Sequence, residues 1–156
     1  MLFARELTGP LSSLLKQFDA AVTKNKSAEL CSFAVFLTDD ADVMEKKLKE
    51  AVEKEKISEN VPLTIVEDVA GPPAYKIDKE AALTVLLYTK GKVVSSYAYR
   101  TGQFSEKEAK AIVAQLPKIL PSEAELKART EAEARAKKEL EELKKKLEEA
   151  KQKEKK

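Results

Sequence analysis

Apolar and polar positions in the first 120 residues alternate between two rhythms, one of short unbroken runs and one of stripes with helical spacing. Residues 2–6 form a short apolar run that reads as a strand, closed by Thr8-Gly9-Pro10. There Thr8 can cap a helix and Pro10 is tolerated in its first turn. Leu11, Leu14, Leu15, Phe18 and Val22 then recur every three or four positions, predicting a helix with one buried stripe that ends near Asn25. Residues 30–38 are almost uninterruptedly apolar, as expected of a central strand covered on both faces. Asp39, Asp40 and Asp42 open a second helix whose buried side is predicted to be Val43, Met44, Leu48, Ala51 and Val52. Residues 61–66 return to strand character.

The stretch Ala70-Gly71-Pro72-Pro73 cannot continue regular structure, because each proline fixes its own backbone and extends the residue before it. A brief helical turn is expected at 75–80. Residues 82–89 and 92–100 are strand-like and flank Lys90-Gly91, which predicts a hairpin. Ser105 caps a third helix with Glu108 completing a capping box, and Ala109, Ile112, Val113, Leu116 and Ile119 form its apolar face. Pro117 loosens its last turn.

From Ser122 onward the composition reduces mainly to Glu, Lys, Arg, Ala and Leu, without Gly or Pro, and a single charged helix is expected. Fully helical, residues 122–156 would span roughly 50 Å. Glu133/Lys137, Glu141/Lys145, Glu142/Lys146 and Glu149/Lys153 stand at i,i+4 in the favourable orientation. Leu140, Leu143, Leu147 and Ala150 supply only two heptads of a coiled-coil seam, so a solvated single helix is expected, with a homodimer through this helix as the alternative. The reading divides the chain into a domain at 1–121 and a tail at 122–156.

Composition narrows the chemistry. Of the chain's 29 basic and 27 acidic side chains, residues 122–156 hold 12 and 10, which leaves 17 of each for the globular part. No basic footprint for a phosphate backbone exists, so a nucleic-acid partner is not expected. One cysteine and no histidine exclude an internal disulfide, a dithiol pair and any multi-cysteine zinc site. No window approaches about 18 consecutive apolar residues, and the start of the chain lacks a secretory leader. A soluble cytoplasmic protein is the expectation, exported if a natural precursor is longer.

Two segments carry a family likeness. Phe3-Ala4-Arg5-Glu6-Leu7-Thr8-Gly9-Pro10-Leu11 resembles the passage of thioredoxin-like proteins in which a strand runs into Trp-Cys-Gly-Pro-Cys, with Thr8 and Leu11 standing where the two cysteines would be. Thr84-Val85-Leu86-Leu87-Tyr88-Thr89-Lys90-Gly91-Lys92-Val93 resembles that family's hairpin, and Leu83 stands at the position of its cis-proline. The element order agrees, and bacterial thioredoxin-like proteins without the cysteine pair are similar. The resemblance implies an α/β thioredoxin-like three-layer sandwich, with a central mixed sheet, a C-terminal hairpin and flanking helices, plus the long charged helix.

Its departures bear on the activity. Thioredoxin-type exchange needs a thiolate at the helix head and a second thiol to resolve the mixed disulfide, and Thr8, Gly9, Pro10 and Leu11 supply neither. Thr8 is read as a cap, and the aspartates at 39, 40 and 42 as helix-start residues instead of metal ligands. Cys31, on the expected central strand, is read as a small buried hydrophobe, against an alternative as a redox-sensing thiol. Tyr97 and Tyr99, two apart on one strand face, are read as packing residues. No catalytic, cofactor-binding or metal-binding residue is assigned and no cofactor is expected. The sequence therefore points to a non-enzymatic protein-interaction module, using the groove beside Gly9-Pro10 and Leu83 or the helical tail. A single-cysteine thiol protein and a coiled-coil assembly protein are the alternatives.

Overall fold

The computed structural model describes the backbone of residues 1–153 and the side chains of residues 1–146. It divides into two compact units, Met1–Leu120 and Pro121–Lys156. In the first unit the elements run β1 (Leu2–Ala4), α1 (Gly9–Lys24), β2 (Ala34–Leu37), α2 (Ala41–Glu55), β3 (Leu63–Val66), β4 (Leu83–Thr89), β5 (Lys92–Tyr99) and α3 (Glu106–Val113). Short 3₁₀ turns lie at Lys26–Ala28, Pro73–Tyr75 and Leu116–Lys118. The last of these contains Pro117, which has no N–H for the helical ladder, so α3 gives way after Val113.

The strands form one mixed sheet in the order β3-β2-β1-β4-β5. β1, β2 and β3 are parallel, with Phe3 beside Val35 and Val35 beside Thr64; β4 runs antiparallel to both β1 and β5. The hairpin turn is Lys90-Gly91, both at positive φ (52° and 74°), the combination that a two-residue turn needs to match the twist of its strands.

Residues two apart along each strand separate the core into two clusters. Leu2, Ala4, Ala34, Phe36, Leu83, Val85 and Leu87 face one way and meet Leu11, Leu14, Leu15 and Phe18 of α1, Met44 and Leu48 of α2, and Ala109 and Ile112 of α3. Each fully buried Leu or Phe contributes about 1.5–3 kcal/mol. Phe3, Val35, Leu37 and Leu86 face the other way, with Phe33, Val66 and Ile77. None of α1, α2 and α3 contributes to that second cluster. The expected three layers are therefore not what is found: α1, α2 and α3 share one face. Both parallel crossovers step in the same direction across the sheet, and right-handed connections then place both helices on one side.

The opposite face is covered by the segment 67–82. Gly71 sits at φ +72° with an added Cβ 2.8 Å from Ile77 Cδ1 and 2.9 Å from Leu37 Cδ1, so only glycine fits this close approach. Tyr75 stacks at 5.0 Å, tilted, on Phe3.

Within the helices the stripes lie largely where the spacing put them, although Val43 is 45% exposed while Met44 and Leu48 are buried. Asp40 caps α2, its Oδ1 accepting from Val43 N at 3.0 Å. That cap fixes Val43 in the first turn, turned away from the core.

The second unit is the helix α4 (Glu123–Lys153). Ser122 and Glu125 form a capping box: Ser122 Oγ accepts from Glu125 N at 3.3 Å and Glu125 Oε2 accepts from Ser122 N at 2.9 Å. Glu133/Lys137, Glu141/Lys145 and Glu142/Lys146 are not drawn into ion pairs among the described residues, as is common for exposed side chains whose charges water already solvates. Leu140 and Leu143 are 53% and 62% exposed. Glu149/Lys153 and the side chains of Leu147 and Ala150 lie outside the described residues.

Candidate functional site

The head of α1 is where the sequence placed its site residues. Thr8 is the N-cap, in extended conformation (φ −111°, ψ 161°), and its Oγ1 accepts from Leu11 N at 3.4 Å. Gly9 and Pro10 form the first turn. Leu11 is 1% exposed and packs into the helix-side core, so a side chain at this position points inward, away from any ligand. Leu83 opens β4, pairs with Ala4 at the end of β1 and is 4% exposed. No cis peptide bond occurs among the described residues.

Only part of this set comes together. A cleft of about 290 Å³ opens beside the α1 head, lined by Leu7, Thr8, Gly9 and Ser12 on one side and by Lys47, Glu50, Ala51, Lys54 and Glu55 of α2 on the other. Leu83 and Leu11 do not line it. This cleft lies between two helices, α1 and α2, which pack on the same sheet face. Lys16 Nζ meets Glu55 Oε2 at 3.9 Å across this pair.

Ser12 was not legible as a site residue, standing one position after Leu11 of the apolar stripe. It is 8% exposed, its N–H bonds Thr8 O at 2.9 Å, and its hydroxyl has no hydrogen-bond partner among the described residues. Lys47 and Lys54, seven residues and so about two turns apart on α2, both line the cleft. Their spacing is a helical signal, but only the fold says what that face meets.

Cys31 corrects an expectation. It is exposed, and it precedes β2 instead of lying within the strand. Strand β2 begins only at Ala34, where pairing with Leu2 and Leu63 starts, so the apolar run 30–33 is an approach to the sheet. The thiol sits near the start of β1: the Met1 amine, bonded to Leu86 O at 3.2 Å, is lowered to about 6 by burial, with Cys31 pulling it upward. Since β1 and β2 are parallel and α1 follows the far end of β1, Cys31 and the α1 head occupy opposite ends of the sheet.

The chain matches no protein-family model and no curated protein sequence.

The remaining surface of note is the hairpin. β5 is a terminal strand of the sheet, and Val93 and Val94 are 57% and 44% exposed, with Tyr88 of β4 at 36%. Tyr97 and Tyr99 turn to the helix side and pack on the core, Tyr99 against Phe104 at 5.1 Å. Burial and the neighbouring Glu108 carboxylate raise the Tyr99 phenol above its ordinary 10.0. Among the described residues no helix is long and apolar enough to cross a membrane, and no cluster of three or more metal-ligating side chains occurs.

Proposed function

We propose that this chain is a non-catalytic, thioredoxin-like protein-interaction module that takes up an extended segment of a partner protein along β5. The observation that carries the reading is the open edge itself: an eight-residue terminal strand with Val93 and Val94 uncovered. Such an edge presents unpaired N–H and C=O groups that a further strand can satisfy. Lys92 and Arg100 flank it, so the fitting segment has apolar residues in its middle and acidic residues at its ends. A second copy is disfavoured, because two-fold pairing centred on Ser96 would set Lys92 opposite Arg100.

The proposal is tested with the full chain, isotope-labelled, and a peptide of alternating valine and threonine with glutamates at both ends. Slowed amide exchange confined to β5, lost in Val94→Pro, is the expected result. Exchange unchanged by the peptide would overturn it. The non-catalytic part has its own measurement: reduced protein should reduce an insulin disulfide no faster than free thiol does, and turnover abolished by Cys31→Ser would contradict it.

One observation favours a second reading, a thiol-responsive protein, namely the exposure of Cys31. Mild peroxide that changes peptide uptake in the parent and not in Cys31→Ser would select it. Assembly through α4 is addressed by light scattering of the full chain, where a monomer mass at tens of micromolar is expected (about 10–50 µM, well above the Kd of a stable coiled coil).

A further inference from the structure

We infer that β5 accepts its partner antiparallel and in one frame, with the segment's large apolar side chains beside Tyr97 and Tyr99 and its alternate, polar side chains beside Ser96 and Ala98. This rests on the strand-addition reading above and specifies the segment that fits it. The first support is the direction of the backbone groups. Leu86 N donates to Met1 O at 2.9 Å and Leu86 O accepts from Met1 N at 3.2 Å, so both polar groups of Leu86 are turned toward β1. Successive residues of a strand turn these groups to opposite edges. Those of Val85 and Leu87 therefore face β5, where their partners are Tyr97 and Ser95. Tyr99 agrees, its carbonyl accepting from Ala82 N at 2.8 Å. With Ser95, Tyr97 and Tyr99 turned inward, the N–H and C=O groups of Ser96 and Ala98 face the open edge.

The second is the difference between the two sides of that edge. Tyr97 and Tyr99 pair with Val85 and Leu83, pack on the helix-side core and, with Phe104, form a half-buried aromatic rim. Ser96 pairs with Leu86 and Ala98 with Thr84, so their side chains stand on the opposite face, where both are exposed. An added strand sets its side chains beside those directly opposite, about 5 Å away. On the helix side a large apolar side chain extends the rim and removes ring surface from water. On the other face the incoming side chain stands beside a serine and an alanine and stays in water, which suits a polar one.

The third is the course of the strand. Leu87 pairs with Ser95 and Tyr88 with Val93, which leaves Val94 as the extra residue of a bulge. A bulge breaks the ladder, so the stretch that a partner extends without interruption is 95–99. Antiparallel addition there continues the pattern of β1, β4 and β5 and is the more stable arrangement per residue. In it the residues opposite Ser96 and Ala98 exchange both backbone bonds with them, so the segment's polar set supplies the ladder. Charge suits the acid-ended segment, since residues 81–105 include Lys90, Lys92 and Arg100 and no carboxylate. Glu108 of α3, whose charge reaches Tyr99, is engaged by Ser105.

The frame is tested with the full labelled chain and the peptide of alternating valine and threonine with glutamate ends, used unmodified, N-methylated at every threonine, or N-methylated at every valine. In the free chain the Ser96 and Ala98 amides should exchange fast and those of Ser95 and Tyr97 slowly. The unmodified peptide should slow Ser96 and Ala98, with nuclear Overhauser contacts from its valine methyls to the Tyr97 and Tyr99 rings. Methylated threonines should weaken binding about tenfold or more, because these residues carry the ladder N–H groups, whereas methylated valines should change it by less than about threefold. The protein is the same in every arm, so its folding is not in play. Ser96 and Ala98 amides that the unmodified peptide does not slow, or that are already protected in the free chain, would overturn strand addition and the frame together. Binding that survives threonine methylation, equal losses from both methylated peptides, or ring contacts from the threonine methyls instead, would overturn the frame and leave strand addition standing.

Discussion

The guanidinium of Arg5, just past the end of β1, is bonded twice to the carbonyl oxygen of Val69: Nε lies 3.1 Å and Nη2 2.9 Å away. Its Nη1 donates to Asp78 O at 3.2 Å and also to Ala81 O. One side chain therefore ties both ends of the 67–82 segment to the sheet, holding the cover over Phe3, Leu37 and Leu86. Hydrogen bonds from a charged donor are worth about 1.5–3 kcal/mol each at most, and partial exposure reduces this. Arg5→Ala should cost about 2 kcal/mol in urea unfolding and speed proteolytic nicking within 67–82. Arg5→Lys should not restore protection, because a single ammonium cannot span the three carbonyls. Wild-type resistance in the alanine variant would show that the segment is held by its apolar contacts alone.

Thr84 has the opposite sign. It is 7% exposed and its Oγ1 is buried with no hydrogen-bond partner among the described residues. Replacing an unsatisfied buried hydroxyl by a methyl group of nearly equal volume removes the desolvation cost. Thr84→Val should therefore stabilise the protein by about 1 kcal/mol, read as a higher denaturant midpoint with unchanged slope. A loss of stability would mean that the hydroxyl has a partner after all.

Asp19 sets an acid limit. Its carboxylate accepts from Ser58 Oγ, from Ser58 N at 3.4 Å and from Asn60 Nδ2 at 3.1 Å, clamping α1 to the turn after α2. The Ser58 hydroxyl bond chiefly holds its pKa below the ordinary 3.8, with desolvation opposing and Asn60 and Lys26 adding to the lowering. A depressed carboxylate binds fewer protons folded than unfolded, so its contribution is complete above the unfolded value of 3.8 and disappears as pH falls through the folded pKa. Asp19→Asn should be less stable than the parent at pH 7, with the difference shrinking below about pH 4. A gap that is constant from pH 7 to about pH 2 would assign the effect to packing.

Cys31 should label quickly in the native state. Because the residue is exposed, a neutral thiol reagent should modify the folded protein at a rate within about tenfold of the unfolded chain. Protection of many orders of magnitude would restore the buried reading that its apolar neighbours suggested.

Periodicity alone located the helices, because an amphipathic stripe needs only a sheet to lie on, whichever sheet that is. Leu11, Leu14, Leu15 and Phe18 are buried as their spacing predicts, and the caps at Thr8, Asp40 and Ser105 are formed by local chemistry that reaches only two or three residues along the chain. Lys90-Gly91 likewise fixed the hairpin turn by its backbone preference. Cys31 and Val43 were misplaced because an apolar neighbourhood in sequence does not say where pairing begins or which way the first turn of a helix faces.

What the sequence by itself determined was the succession of elements, the absence of a dithiol pair and the separation of a neutral globular part from a charged helix. The tertiary structure decided that all three helices of the globular unit share one sheet face, that Arg5 secures the other, and that Ser12 meets Lys47 and Lys54 across a cleft. These are relations between residues dozens of positions apart. Such meetings depend on the direction and hand of the crossovers, whereas a hydrophobic pattern constrains each segment only against its own immediate surroundings.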